Sequence, residues 1–233
     1  MQTHVDVARS AAPRPAREGG MINCYAFRFV PPFAQGLVRD LRVRWALEEA
    51  GLPYRVTLIG GDEGGISPSD YPAIQPFGQV PAIEVGDLTL FESGAIVLYV
   101  AERSAALLPD DPLARAHVMQ WMFAALNTIE VPIDRLAEID LFYAGESWAK
   151  ERRPTVVEAV RRRLAQLAAC LDGRDHLVGA FSAADILMTS VLRILRHTDL
   201  LEEQPLLVAY KQRCEARPAF AKALADQMAA FGA

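Results

Sequence analysis

The chain of 233 residues contains few cysteines, and they lie too far apart to suggest a disulfide framework or a zinc site. Cys24, Cys170 and Cys214 are odd in number and form no C-x-x-C pair. Free cysteines of this kind are typical of a reducing compartment. We therefore predict a cytoplasmic protein that binds no metal.

Excess basic charge and long apolar runs are missing as well. The 24 basic residues are outnumbered by 29 acidic ones, and no stripe of Lys and Arg alternates with aromatic residues. A nucleic-acid partner is therefore disfavoured. The longest apolar run, around Ala95 to Ala101, is far shorter than the ~20 residues that a membrane-spanning helix requires. We expect neither a nucleic acid nor a membrane as a partner.

The chain does contain enough apolar surface for a substantial core. It has 52% apolar and 23% charged residues, and a chain of this mass buries about 70% of its unfolded surface on folding. Residues 1–20 differ, because they are small, polar and rich in Pro and Gly, and they lack the apolar segment of a secretory signal. We predict a flexible tail over residues 1–20.

Apolar patterns in the first half predict a β-α-β unit. The stretch from Ile22 to Phe29 indicates a buried strand, and apolar residues from Leu37 to Ala50 recur at helical spacing. Gly51 then ends the helix, and Tyr54 to Ile59 forms a second strand. A strand, a helix and a strand in this order make a right-handed crossover, so the two strands should be parallel.

A hairpin and a second helix complete the first half. A short helix is expected near Tyr71 to Gln75, because the connection is long for a structureless loop. Two short strands, Val80 to Val85 and Leu88 to Phe91, flank a two-residue hairpin signal. Ser93 is a favourable N-cap for the helix that follows. Residues 21–104 are therefore predicted to form one α/β domain.

The second half shows helical periods only. A polar, proline-marked linker over residues 105–112 separates it from the first half, and residues 113–233 are predicted to form an all-α domain. Pro132 should kink or split the first of its helices. The predicted helices are Leu113 to Tyr143, Thr155 to Leu171, Ser182 to His197, Gln204 to Glu215 and Pro218 to Phe231.

Three short motifs stand out for their chemistry. In Gln79-Val80-Pro81-Ala82, a proline stands at the entrance of a strand, where only an edge, a strand start or a cis bond tolerates it. In Glu92-Ser93, an acid and a hydroxyl lie at a helix N-terminus, a combination that suits the carboxylate and ammonium groups of an amino acid. Ser182 and Asp185 form a capping-box-like helix start.

In this order, the three motifs resemble the cytosolic glutathione transferase family, and the resemblance extends over the chain from Met21 onward. It implies a thioredoxin-like N-terminal domain, an all-helical C-terminal domain and a symmetric homodimer. It also implies that glutathione is the co-substrate and that its thiolate attacks a small apolar electrophile.

The resemblance also assigns roles to the motif residues. It implies a cis bond between Val80 and Pro81, with the main chain of Val80 pairing with the cysteinyl unit of glutathione like a short added strand. Ser182 and Asp185 would be structural. The residues that would hold the γ-glutamyl end of glutathione are Gln79, Glu92 and Ser93.

The sequence lacks the side-chain donor that the family places after its first strand. In neither of two alignments does a hydroxyl or thiol occupy the slot of the family's Ser, Tyr or Cys donor after the first strand. We predict that main-chain N–H groups around Phe33 to Leu37, at the N-terminus of the first helix, or the side chain of Arg39 stabilise the thiolate instead. Phe33 and Arg39 are therefore the candidate catalytic residues, within an insertion that extends to Asp40.

Other features leave the substrate and the chemistry open. Aromatic and Met side chains in and after the first long helix of the second domain are candidates for an apolar pocket: Trp121, Met122, Phe123, Phe142, Tyr143 and Trp148. Cys24 is predicted to be core packing. The alternatives to conjugation are a glutathione-dependent isomerase or disulfide reductase at the same site, and a non-catalytic module that binds glutathione conjugates or a protein.

Overall fold

The computed structural model describes residues 20–60 and 65–231, and the tail predicted for residues 1–20 lies outside them except for Gly20. The α/β layer consists of β1 (Ile22–Phe27), α1 (Asp40–Ala50), β2 (Tyr54–Ile59), β3 (Ala82–Val85), β4 (Leu88–Phe91) and α2 (Ser93–Ala101). The helical bundle consists of α3 (Pro112–Phe123), α4 (Glu130–Leu141), α5 (Ser147–Leu171), α6 (Ala183–Arg193), α7 (Pro205–Glu215) and α8 (Pro218–Ala230).

The strands form one four-stranded sheet in the order β2-β1-β3-β4. β1 pairs in parallel with β2, with Ile22 opposite Tyr54, which confirms the predicted crossover. β3 runs antiparallel to both β1 and β4. The mixed sheet, followed by helices alone, is the thioredoxin-like and all-helical arrangement that the sequence predicts.

α1 begins at Asp40, later than the helical spacing from Leu37 predicts. A 3-10 turn at Pro32–Ala34 precedes it, and Gly36 then adopts a φ of 76°, a left-handed conformation that interrupts a helix. At the other end Gly51 closes α1 as predicted. The residues between β1 and α1 therefore form an extended loop instead of the first turns of a helix.

β3 begins at Ala82 and not at Val80. Pro81 has no N–H to donate to the ladder, and the peptide bond between Val80 and Pro81 is cis, as expected. Val80 therefore lies just outside the sheet, at the entrance of β3.

The first long helix of the bundle is interrupted just before Pro132. A π-helical turn over Ala124–Ile129 separates α3 from α4, and it contains Thr128, the residue four positions earlier whose carbonyl Pro132 cannot bind. α5 begins at Ser147, well before its predicted start, and contains Pro154. The carbonyl group that Pro154 leaves unpaired belongs to Lys150 on the exposed side of the helix, so solvent can bind it.

The core is continuous from the α/β layer into the bundle. Trp45 on α1 is fully buried, and its ring lies 5.8 Å from that of Phe181 and 4.8 Å from that of Phe220. Asp185 accepts a hydrogen bond from the N–H of Ser182 at 2.9 Å, so the predicted capping box is present. None of the helices in the described part of the chain combines the length and the hydrophobicity needed to span a bilayer.

Candidate functional site

A cleft between the α/β layer and α4 consists of two cavities with a shared wall. The polar cavity measures ≈ 330 Å³ and the apolar cavity ≈ 340 Å³. Each lies within the range of small-molecule sites, about 300–1,000 Å³. The shared wall is formed by Arg39, Arg42, Gln79, Val80 and Asp134.

The polar cavity contains all the residues predicted to bind glutathione: Gln79, Val80, Pro81, Glu92 and Ser93. The main chain of Gln79 is fixed, because its N–H donates to Gln75 Oε1 at 3.2 Å and its carbonyl accepts from Tyr71 Oη at 2.8 Å. In contrast, neither main-chain polar group of Val80 hydrogen-bonds to another described residue. Val80 therefore offers one N–H and one C=O to an extended ligand.

The junction of β4 and α2 places Glu92 and Ser93 at a helix N-terminus. Glu92 is exposed and adopts a φ of 72°, a conformation that costs a non-glycine residue about 1–3 kcal/mol and is concentrated at functional sites. Ser93 is buried, and its Oγ accepts a hydrogen bond from Arg42 Nη1 at 3.2 Å. Because arginine only donates, the hydroxyl proton of Ser93 stays available to a ligand oxygen.

Arg42 also belongs to an ion-pair network that joins the two parts of the molecule. Its guanidinium donates to both carboxylate oxygens of Glu130 on α4, at 2.7 and 3.3 Å. Arg39 donates to Glu130 at 2.9 and 3.0 Å and to Asp134 at 2.6 Å. Burial alone would raise the pKa of Glu130, but the two arginines outweigh burial and lower the pKa. Glu130 is therefore a buried carboxylate between two cations.

Sequence reasoning missed Arg42, Glu130 and Asp134. The sequence does contain a signal, because the spacing of Arg39 and Arg42, like that of Glu130 and Asp134, places each pair on one face of its helix. Nothing in the sequence indicates that the two faces meet, since α1 and α4 belong to different halves of the chain.

In the loop before α1, some of the N–H groups predicted to stabilise a thiolate are available to a ligand and others are not. The N–H groups of Ala34, Gln35 and Leu37 hydrogen-bond within the turns of the loop, so they are not available to a ligand. Arg39 lines both cavities with 44% of its side chain exposed, but its guanidinium is bound to two carboxylates. The N–H groups of Val38 and Arg39 form no hydrogen bond with another described residue. The N–H groups of Phe33 and Gly36 likewise bond to no other described residue, so the available donors lie both within the loop and at the start of α1.

The apolar cavity is lined mostly by aliphatic and aromatic side chains. The ring of Phe33 meets that of Phe142 edge to face at 5.2 Å, so the structure places Phe33 in the wall of this cavity. Of the six side chains predicted to line an apolar pocket, Phe142 is the one that lines it, because helical spacing does not tell which face turns to the cleft. The others lie in a separate cavity between α2 and α3 (Met122 and Phe123), in a tilted aromatic pair (Tyr143 and Trp148) and against the core (Trp121).

Two reactive side chains of β1 stay outside the cleft. Cys24 is fully buried, and burial raises the pKa of its thiol to about 12, so it is protonated core packing as predicted. Tyr25 donates to Glu84 Oε2 at 2.6 Å, and burial together with this hydrogen bond raises its pKa to about 12. Neither Cys24 nor Tyr25 lines either cavity.

A cluster of potential metal ligands, His176, Asp185 and Cys214, lies in the bundle, outside the lining of the cleft. Asp185 already accepts hydrogen bonds from Ser182 and from Tyr210 Oη. The cluster therefore suits helix capping better than metal binding.

Comparison with known proteins identifies the family. The model of the glutathione S-transferase N-terminal domain matches residues 35–102, and that of the C-terminal domain matches residues 116–218. The chain belongs to the glutathione S-transferase family. The fold and the enzyme class expected from the sequence are thereby confirmed.

Relatives of this transferase cover most of its length. A glutathione S-transferase of Silene vulgaris is 30% identical over 201 residues, which are 80% of this chain and 92% of that protein. The structure of a glutathione transferase from Burkholderia graminis, with two glutathione molecules bound per subunit, has a TM-score of 0.75 and 26% identity and covers 88% of this chain and 87% of that one. A disulfide-bond oxidoreductase of Escherichia coli (strain K12) is 39% identical over 84 residues, 33% of this chain and 39% of that protein.

Proposed function

We propose that this transferase joins glutathione to small apolar electrophiles. The observation that carries the proposal is the shared wall of the cleft, where Val80, whose main chain bonds to no other described residue, borders both the polar and the apolar cavity. A cysteinyl unit paired with Val80 would hold its sulfur between a polar site for the tripeptide and an apolar site for the second substrate. Holding two reactants in this geometry lowers the barrier to their reaction.

The polar cavity suits the γ-glutamyl end of glutathione. Its α-carboxylate would accept hydrogen bonds from the Ser93 hydroxyl and from the N–H groups at the start of α2, and its ammonium would bind Glu92. Arg42 leaves the Ser93 hydroxyl free to donate. The exposed side chain of Gln79 adds a further polar group at the rim.

The reaction depends on the thiolate of glutathione. The thiol proton passes to solvent, the sulfur attacks an electrophilic carbon, and a C–S bond forms as the leaving group departs with its bonding electrons. Lowering a thiol pKa from ~8.5 to ~6.5 takes about 2.7 kcal/mol of preferential binding of the anion. One or two well-placed hydrogen bonds supply this energy. The candidate donors are the N–H groups of Val38 and Arg39 and the guanidinium of Arg39.

Disulfide reduction is the second candidate, and the Escherichia coli relative favours it. The glutathione thiolate would attack the glutathione sulfur of a mixed disulfide, releasing the other half as a thiolate and forming glutathione disulfide. The Burkholderia relative holds two glutathione molecules per subunit. In this chain the apolar cavity would then receive the second glutathione.

Two assays separate these functions. The purified enzyme receives glutathione together with either a model aryl halide or a mixed disulfide of glutathione, and the product is measured in each case. Conjugation of the aryl halide supports the first proposal, whereas turnover of the disulfide alone replaces it with the second.

Retention on a glutathione resin tests the assigned site. Glu92→Ala and Ser93→Ala should each weaken binding by about 1–3 kcal/mol, because each removes a polar partner of the γ-glutamyl end. Glu203→Ala removes an exposed carboxylate outside the cleft and is the matched control. Elution of both site variants with the wild type would disprove the assignment.

We further propose that the transferase is a homodimer whose contact includes the separate cavity between α2 and α3. Its lining contains Leu98, Met119 and Phe123, and Phe123 is 62% exposed. Apolar surface of this kind often marks a protein interface. Analytical ultracentrifugation should show a dimer that Phe123→Asp converts to a monomer; a wild-type monomer would refute the proposal. The cytoplasmic location stays a prediction.

A further inference from the structure

Two arginines of the bundle hold the loop between β1 and α1 by its carbonyl groups. Arg193, the last residue of α6, donates to the carbonyl of Gly36 at 3.0 Å. Arg196, in the 3-10 turn that follows α6, donates to the carbonyls of Phe33 and Gln35 at 2.6 and 2.9 Å. The middle of the loop is therefore bound to the C-terminal half of the chain.

Gln227 on α8 holds the end of the same loop. Its buried amide donates to the carbonyl of Val38 at 3.1 Å and to Asp40 Oδ1 at 2.6 Å. Neither Gln227 nor Arg193 nor Arg196 lines the polar or the apolar cavity. All three side chains therefore contact the loop from outside the cleft.

The contact of Gln227 helps to set the direction of the N–H group of Arg39, and the two arginines fix the loop that leads to it. In a trans peptide unit, the C=O and the N–H point to opposite sides. The carbonyl of Val38 and the N–H of Arg39 belong to one unit. The carbonyl accepts hydrogen bonds from the N–H of Leu41 at 3.0 Å and from Gln227 at 3.1 Å, and together they turn the N–H of Arg39 away from α8 and from the first turn of α1. This N–H bonds to no other described residue, and Arg39 lines both cavities. A hydrogen-bonded carbonyl also polarises its peptide unit and strengthens the N–H as a donor.

The loop has little room to shift. Gly36 has a φ of 76°, and a Cβ built there would lie 3.3 Å from Leu224 Cδ1 and 3.7 Å from a nitrogen of each arginine. Burial lowers the pKa of Arg196, and the charge of Arg193 lowers it further. Two adjacent guanidinium groups are unfavourable unless acceptors bind them, and here the loop carbonyls and Glu215 do so.

We propose that Arg193, Arg196 and Gln227 are positioning residues for the transferase reaction. They fix the loop before α1 so that the main-chain N–H of Arg39 faces the glutathione sulfur and stabilises its thiolate. The inference rests on the proposed glutathione site and assigns the role of the family's hydroxyl or thiol donor to the backbone. It also explains how a transferase without Ser, Tyr or Cys after its first strand stabilises the thiolate of glutathione.

The test compares Arg196→Ala with Arg196→Lys, which keeps a cationic donor. The matched control is Arg161→Ala, which removes an arginine from an exposed ion pair outside the cleft. The first readout is the ultraviolet absorbance of the thiolate of enzyme-bound glutathione as a function of pH, and the second is the pH profile of kcat/KM with an aryl halide. A role in folding alone would move neither profile.

We expect Arg196→Ala to raise the thiol pKa of bound glutathione. A rise from ~6.5 to ~7.5 lowers the thiolate fraction at pH 7 about threefold, and each further unit lowers it by close to tenfold. The KM for glutathione should change little, because the contacts at Val80, Glu92 and Ser93 are intact. Arg196→Lys should restore most of the thiolate, and Arg161→Ala should behave as the wild type.

An unchanged thiol pKa in folded Arg196→Ala would overturn the inference, as would an equal rise in the control. If Arg196→Ala does not fold, Gln227→Leu provides the same measurement with the same expected rise. The titration requires no turnover, so a wild-type enzyme that lowers the thiol pKa without conjugating an electrophile contradicts the proposed function alone. A wild-type enzyme that binds glutathione without lowering its thiol pKa overturns the inference.

Discussion

Replacing Glu130 by Gln should show whether the buried ion-pair network holds the two walls of the cleft together. Glu130 on α4 receives hydrogen bonds from both Arg39 and Arg42 on the α/β layer. The side chains of Arg42 and Glu130 are 3% and 7% exposed, so solvent cannot replace the lost partner. The change keeps the size of the side chain and removes its charge.

The expected loss of stability follows from the geometry. The amide of a glutamine has one acceptor oxygen, and its NH₂ group would face a guanidinium that only donates. Breaking a buried ion pair costs about 3–5 kcal/mol. Because Arg39 keeps Asp134 and the glutamine keeps one acceptor, we expect the lower end, about 3 kcal/mol. For a chain of this size, that corresponds to a fall in Tm of about 6–12 °C.

The difference in unfolding free energy between the wild type and Glu130→Gln should also depend on pH. The folded pKa of Glu130 is lowered, so the ion pair stabilises the fold fully above the unfolded pKa of about 4.3. This contribution is lost as the pH falls through the lower, folded pKa. The gap in unfolding free energy between the wild type and Glu130→Gln should therefore be full at neutral pH and shrink in strong acid.

Thermal and urea unfolding of both proteins at several pH values measure the gap. The matched control is Glu203→Gln, which alters an exposed ion pair with Arg161 and should leave the midpoint almost unchanged. Equal midpoints for Glu130→Gln and the wild type at neutral pH would refute the reasoning. A gap that widens on acidification would refute the assignment of a lowered pKa.

Three further predictions concern the cleft wall, the loop and the cysteines. Phe142→Ala should lower kcat/KM for an aromatic electrophile and leave the KM for glutathione unchanged, because Phe142 lines the apolar cavity only. Steady-state kinetics in which each substrate is varied in turn measure both constants. Gly36→Ala should lower the free energy of unfolding by about 1–2 kcal/mol in urea titrations, because a Cβ disfavours the left-handed conformation. Cys170 is exposed and should be alkylated in the native protein, whereas Cys24 and Cys214 are buried, which raises their pKa values, and should react only after unfolding. Peptide mass spectrometry identifies the alkylated cysteines, and labelling of Cys24 in the native protein would contradict the prediction.

Local chemistry made several elements predictable from the sequence. Gly51 ends α1 because it alone accepts the left-handed cap conformation there, and Ser182 with Asp185 begins α6 because the two side chains satisfy free N–H groups. The residues of the polar cavity were predictable for the same reason, since Gln79 to Pro81 and Glu92 to Ser93 are two short segments that each carry a local signal, a proline at a strand entrance and a helix N-terminus. These signals lie within a few residues of the feature that they specify.

The sequence-based predictions were wrong or incomplete where contacts between distant parts of the chain override local patterns. Leu37 has helical spacing to α1, but the arginines and Gln227 bind the loop in another conformation. Pro154 indicates a helix boundary, yet its position on the exposed face lets α5 continue through it. The network around Glu130 depends on the docking of α4 beside α1, which no local pattern encodes.

The charge balance of the cleft limits how it can stabilise a thiolate. Among the described residues, the charged side chains that line the two cavities are two arginines and three carboxylates, a formal balance of −1: Arg39, Arg42, Glu92, Glu130 and Asp134. A thiolate adds another negative charge, so the overall field of these groups opposes its formation. The guanidinium of Arg39 offsets little of this, because two carboxylates already bind it. Short-range donors must therefore provide the stabilisation. The N–H groups of Val38 and Arg39, which bond to no other described residue, can donate whatever the net charge of the cleft.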